Sequence, residues 1–148
     1  HMDNAVRDLT DSDKPAWLKL WAGYQKFYGI SIPDEVTATT WRRLLDPQEP
    51  IRAFVFDNET TAIGFAHIIV HRSTWTVENT CYLQDLFVES AYRRKGVARA
   101  LIDAVYAHVD GNGGRQVYWL THHSNADGRR LYDKVAANAG FLLYERFA

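Results

Sequence analysis

The chain has a single cysteine, Cys81, among 148 residues, so no intrachain disulfide can form and stability must come from a packed core. A reducing cytoplasm suits that thiol and is the expected location. Long apolar runs are also lacking. The longest, Ile63 to Val70, is broken by His67 and falls well short of the ~20 residues a membrane span needs. Neither charge dominates: the net charge is −1, which gives no global field to hold nucleic acid or an anionic membrane. Repeats, linkers and low-complexity tracts are missing too, and His1-Met2 reads as a cloning scar. What is present suits one soluble domain spanning residues 3–148, with 47% hydrophobic and 24% charged residues. Aromatic residues are plentiful at 14%, including five Trp and eight Tyr.

Hydrophobic periodicity predicts a mixed α/β order. A short strand fits Ala5 to Leu9, followed by a helix capped at Ser12 with an apolar stripe from Trp17 to Tyr28, closed by Gly29. A second helix opens after Pro33, buries Val36, Trp41, Leu44 and Leu45, and stops at Asp46-Pro47. Ile51–Phe56 and Ala62–His71 read as an antiparallel pair around a polar turn, and Thr80–Glu89 as a third long strand. A helix with Val97, Leu101, Val105 and Val109 four residues apart follows. The remaining order is a strand over Gln116–Leu120, a helix over Asn125–Ala139 ended by Gly140, and a closing strand over Phe141–Phe147.

The chemistry concentrates where the third long strand turns through Glu89-Ser90-Ala91-Tyr92-Arg93-Arg94-Lys95-Gly96 into a helix. The first backbone N–H groups of a helix have no internal partner and, with its dipole, form an anion site. Gly96 admits a phosphate close to the backbone, Ala98 keeps the next turn small, and Arg93, Arg94, Lys95 and Arg99 surround it with positive charge. A diphosphate is the ligand this predicts. No Lys-Ser/Thr pair follows as in a Walker loop, and one glycine cannot make the three-glycine dinucleotide fingerprint. A solvated basic helix start is the competing reading, and context decides between them.

Arg93-x-x-Gly96-x-Ala98, placed between strand and helix, resembles the pyrophosphate motif of the GNAT N-acetyltransferase superfamily. Tyr82-Leu83-Gln84-Asp85-Leu86-Phe87-Val88 resembles its splayed central strand, Asn125 with Leu131-Tyr132 its Asn…Leu-Tyr signature, and Gly140-Phe141 its Gly-Phe. The wording is most similar to the histone- and polyamine-acetylating subgroup. The resemblance implies the GNAT fold, β-α-α-β-β-β-α-β-α-β, with acetyl-CoA held by a splayed strand pair. It implies acetyl transfer to a primary amine by direct attack in a ternary complex. Coenzyme A would then contact Leu86, Phe87, Val88, Arg93, Arg94, Lys95, Gly96, Val97, Ala98, Arg99, Asn125, Arg129, Tyr132 and Lys134. Tyr132 would be the general acid, protonated at neutral pH because a tyrosine titrates near ~10.

The proton acceptor is less evident. Polyamine acetyltransferases carry Glu where this chain has Gln84, and a neutral amide cannot take the proton. Strict alternation places the neighbouring Asp85 on the opposite face of the strand. Glu78, Glu89, His122 and His123 are further candidates. His67 and His71 share a strand face, but two histidines without a third ligand do not make a zinc site, and no metal is assigned. Cys81, inside a strand, reads as an inert buried thiol. Tyr28, Trp75, Glu78, Asp85 and His122 are the candidate acceptor contacts. The acceptor itself stays open among a small amine or polyamine, an amino acid and a lysine-bearing peptide. Many members of the superfamily are dimers, which makes a homodimer part of the expectation. A non-catalytic acyl-CoA-binding module is the alternative, suggested by Gln84.

Overall fold

The computed structural model describes residues 5–148; the expected domain start at Asp3 and the His1-Met2 pair lie outside the described residues. Five strands form one sheet in the order β1-β2-β3-β4-β5. They are β1 (Val6–Asp8), β2 (Ile51–Asp57), β3 (Ala62–His71), β4 (Thr80–Val88) and β5 (Gln116–Tyr118). Neighbours are antiparallel except β4 and β5, which run parallel. Helices α1 (Lys14–Tyr28) and α2 (Asp34–Leu45) cover one face, with Trp17, Trp21, Trp41 and Phe65 at the heart of that core. Helix α3 (Val97–Gly111) covers the other through Val97, Leu101, Ile102 and Val105, and α4 (Ala126–Val135) packs Leu131, Tyr132 and Val135 at its margin.

Most elements fall where periodicity put them, with instructive departures. Ser12 does not cap the first helix. Asp13 precedes α1 without a side-chain cap bond to it; its carboxylate instead accepts from the Thr10 N–H at 2.8 Å, closing a capping box around a short 3₁₀ turn over Asp11–Asp13 that leads into α1. The same carboxylate takes two N–H bonds from Arg7, both 2.8 Å, tying β1 to the helix start. In α2, Val36 is 45% exposed, because Trp41 and Leu44 already face the sheet.

The C-terminal region departs most. Helix α4 ends at Val135, four residues early: Ala136 turns extended, and the Tyr106 hydroxyl donates to the Val135 carbonyl at 2.8 Å. That bond satisfies a terminal acceptor that another helical turn would have covered. Residues 141–147 form no strand. Strand-forming side chains need a neighbouring ladder, and this segment meets none, leaving Phe141, Leu142, Tyr144 and Phe147 80–90% exposed.

Candidate active site: the opening between β4 and β5

Strands β4 and β5 pair only from Thr80 to Tyr82, against Gln116 to Tyr118. Beyond Tyr82, β4 continues to Val88 with that edge free, so the two strands part like the arms of a V. Unpaired N–H and C=O groups along a strand edge are a template for an added extended chain. Leu86, Phe87 and Val88 line this opening, with the Leu86 and Val88 side chains in the α3 core and their backbone toward the gap. Core packing and ligand contact are thus compatible in the same residues.

At its far end the opening meets the start of α3. Gly96 is the residue before the helix and has φ 84°, and Arg94 has φ 61°, so two left-handed residues fold the loop back on itself. A side chain at Gly96 would be strained in this conformation. The turn leaves Val97 and Ala98, whose amides open the helix and have no partner within it, lining a cavity of about 590 Å³, a size suited to a cofactor. Arg94, Arg99 and Lys134 line it, together with Asn125 and Tyr132. Fourteen residues were expected to hold the cofactor, and two lie elsewhere. Lys95 points its ammonium over the Tyr92 ring at 5.9 Å, and Arg129 turns away to donate to the His123 carbonyl at 2.9 Å. Arg93 lines the cavity but spends its Nε–H on the Val88 carbonyl at 3.0 Å, stacked over Phe27 and Phe87. It braces the end of β4.

Arg130, Asp127 and Gly128 also line the cavity, and sequence reasoning assigned them no role there. Asp127 lies between Arg94 at 3.5 Å and Arg130 at 3.2 Å, where it can hold two guanidinium groups at the rim. Gly128 had a legible signal, since it sits three residues after Asn125. Its N–H donates to the Asn125 side chain at 3.2 Å, and a Cβ there would collide with that side chain.

This geometry is that of a known family: the chain matches the Acetyltransferase (GNAT) family over residues 8–137. The chain belongs to the GNAT acetyltransferases. It is 43% identical over 143 residues to the D-amino-acid N-acetyltransferase HPA3 of Saccharomyces cerevisiae, covering 95% of this chain and 89% of that protein. Among solved structures, the integron cassette protein HFX_CASS3 from the mobile metagenome of Cole Harbour Salt Marsh superposes with a TM-score of 0.87. It is 18% identical, with 99% of this chain and 92% of that one covered. AAC(6')-Iy, solved with a bisubstrate analogue of coenzyme A, superposes with a TM-score of 0.79 at 20% identity, with 97% of both chains covered. The GNAT family uses acetyl-CoA, so the residues around the α3 start fit its diphosphate and the free β4 edge its extended arm.

In this GNAT, Tyr132 lies edge-on to Trp119 at 5.4 Å between ring centres, half-buried in the cavity wall. Burial first, and the nearby Tyr28 second, push its pKa above the ordinary tyrosine value. It therefore keeps its proton at neutral pH.

Asp85 gives the largest correction. Cross-strand partners run His67↔Asp85 and then Ile68↔Leu83, so Gln84 has no partner and β4 carries a bulge. The extra residue resets the alternation. Cys81 and Leu83 face the α3 core, whereas Phe87 belongs to the α1 side, and Asp85 bonds to groups on that side. Asp85 thus faces the α1 side of the sheet, where its charge raises the pKa of both Tyr28 and Tyr82, after burial as the main cause. Tyr28 and Tyr132 both line the cavity, and Asp85 is linked to Tyr28 through Tyr24, whose hydroxyl donates to the carboxylate and whose ring packs on Tyr28 at 4.8 Å.

The other candidates are dispersed. Gln84 is exposed at the bulge. Trp75 is 90% exposed in the β3–β4 loop, and Glu78, in the same loop, is also exposed; neither lines the cavity. His122 bonds Ser124 Oγ at 2.6 Å and stacks on His123, while Glu89 pairs with Lys19 at 3.4 Å. His71 bonds the Tyr118 hydroxyl at 2.8 Å. Burial raises the Cys81 thiol to about 11, which makes it a poor nucleophile.

Proposed function

We propose that this chain transfers the acetyl group of acetyl-CoA to the primary amine of a small molecule, with a free amino acid the first acceptor to test, by direct attack in a ternary complex. The observation that carries this reading is the cavity at the α3 start, lined by Tyr28 and Tyr132, with Asp85 linked to it through Tyr24, whose hydroxyl donates to Asp85 at 2.6 Å and whose ring packs on Tyr28 at 4.8 Å. A carboxylate there can bind the acceptor's ammonium while a protonated tyrosine faces the leaving group. The amino-acid preference draws on the acceptor named for the HPA3 relative. Polyamines and a lysine-bearing peptide remain in the test because the sequence wording resembles the histone- and polyamine-acetylating subgroup.

When bound, acetyl-CoA supplies the activated acetyl carbonyl. The residues of this chain do the rest. The amides of Val97 and Ala98, with Arg94, Arg99 and Arg130 nearby, hold the diphosphate; the free edge of β4 orients the pantetheine arm; Tyr132 holds a proton for the thiolate. The Val88 N–H is placed to polarise the thioester carbonyl, as the family resemblance implies. Asp85 receives the ammonium, whose proton leaves to solvent at the mouth.

Thiol release from acetyl-CoA in the presence of D- and L-amino acids, polyamines, aminoglycosides and a lysine peptide tests this. Amine-dependent release with at least one small amine is expected. Tight acetyl-CoA binding without release on the whole panel would replace the enzyme reading with the non-catalytic acyl-CoA module.

We also infer self-association through residues 141–147. Those apolar side chains stand in water, and a second copy of the chain can cover them.

A further inference from the structure

Behind Asp85 lies a polar chain that runs through the core. The Tyr24 hydroxyl donates to Asp85 Oδ1 at 2.6 Å, His67 Nδ1 meets Asp85 Oδ2 at 2.9 Å, and Trp17 Nε1 donates to His67 Nε2 at 3.0 Å. Trp17 is fully buried and His67 is 4% exposed, so no water competes along the chain. Its direction follows from chemistry. An indole N–H can only donate, so Nε2 of His67 must present its lone pair. The ring proton therefore resides on Nδ1 and points at Asp85. Since Nε2 is occupied, the imidazole has no free lone pair with which to accept a proton passed inward from Asp85. The chain ends at the indole and works as a fixed mount.

We propose that Trp17 and His67 are positioning residues for acceptor recognition: the indole locks the His67 tautomer, and His67 with Tyr24 clamps Asp85 so that its remaining lone pairs receive the acceptor's ammonium. Each carboxylate oxygen has one partner and can accept another. The other groups around His67 offer no substitute donor. Ala53 is its partner on β2, Phe65 stacks against it, and Trp21 lies tilted to the ring with its own indole N–H donated to Thr37. Asp85, the residue after the bulge, thus receives its two hydrogen bonds from His67 on β3 and Tyr24 on α1, and Trp17 and His67 set its position without touching substrate. The inference rests on the amine-acetylation reading above.

Two measurements test it. Nitrogen-15 spectra of the histidine rings in the 148-residue chain at neutral pH should show His67 in the Nδ1–H tautomer, and Trp17→Phe, which leaves Asp85 as the sole constraint on the ring, should weaken that preference. In steady-state kinetics Trp17→Phe should raise the amine KM about tenfold, the scale of one lost charge-assisted bond, with the acetyl-CoA KM unchanged. His67→Asn, whose amide N–H can take the place of Nδ1–H, should stay within about threefold of wild type, whereas His67→Gln should match Trp17→Phe. This histidine pair carries the test should Trp17→Phe not fold. An Nε2–H tautomer in the wild type, or equal rises in both KM values, would overturn the proposal. A wild type that accepts no amine would remove the acceptor role along with the function reading, and the tautomer signal would still report the lock separately.

Discussion

Tyr132 and Asp85 divide the proposed chemistry, and their surroundings fit them to different tasks. Tyr132 loses hydration to burial and so retains its proton; Asp85 is held by two donors at the edge of water. Tyr132→Phe should lower kcat about a hundredfold while the acetyl-CoA Kd shifts less than about twofold, because only the proton is lost. Titration calorimetry alongside turnover checks both halves, and an unchanged kcat removes Tyr132 from the mechanism. Asp13 is the structural counterpart. The Arg7 guanidinium holds its carboxyl below the usual carboxylate range, against a smaller opposing effect of burial. A depressed folded pKa stabilises above the unfolded value and is lost as pH falls through the folded one. Asp13→Asn should thus cost about 2 kcal/mol at pH 7 in denaturant melts, with the deficit against wild type shrinking in acid. Asp85 also shows where residue reading fails. Period-two alternation is a sound rule for a regular ladder, and the bulge at Gln84 broke it with no glycine or proline to announce it.

At the scale of elements, the β4–loop–α3 unit does most of the work. Its two left-handed residues, Arg94 and Gly96, aim the first amides of α3 at the cavity. Gly96→Val should weaken acetyl-CoA binding at least tenfold in a folded protein, through strain and the added bulk; equal affinity would count against the loop. This unit was legible in the sequence because each signal was local: strand residues, then a basic turn with one glycine, then apolar residues four apart. The helix starts at Asp34 and Val97 were legible for the same reason. Helix α4 was less so. Its apolar period runs on through Ala139, but a hydroxyl on α3, 29 positions away in sequence, meets the final carbonyl at Val135. Long-range bonds of that kind leave no trace in a window of neighbouring residues.

For the molecule as a whole, two cores on opposite faces of one sheet frame the open edge of β4, with the proposed acceptor side built on α1 and the proposed cofactor side on α3 and α4. Phe141–Phe147 has the composition of a strand and lacks a partner in the chain, so a sequence reading could supply its propensity but not its ladder. Removing residues 141–148 should leave the fold intact and shift the protein to a monomer in light scattering; a full-length protein that is already monomeric at high concentration contradicts the association. No described helix is long and apolar enough to cross a membrane. The central claim is that the cavity at the α3 start receives the diphosphate of coenzyme A. A crystal structure with acetyl-CoA tests it most directly. The account predicts the diphosphate on the Val97 and Ala98 amides and the thioester beside Val88 and Tyr132; a ligand seated elsewhere, with those amides turned to solvent, would contradict it.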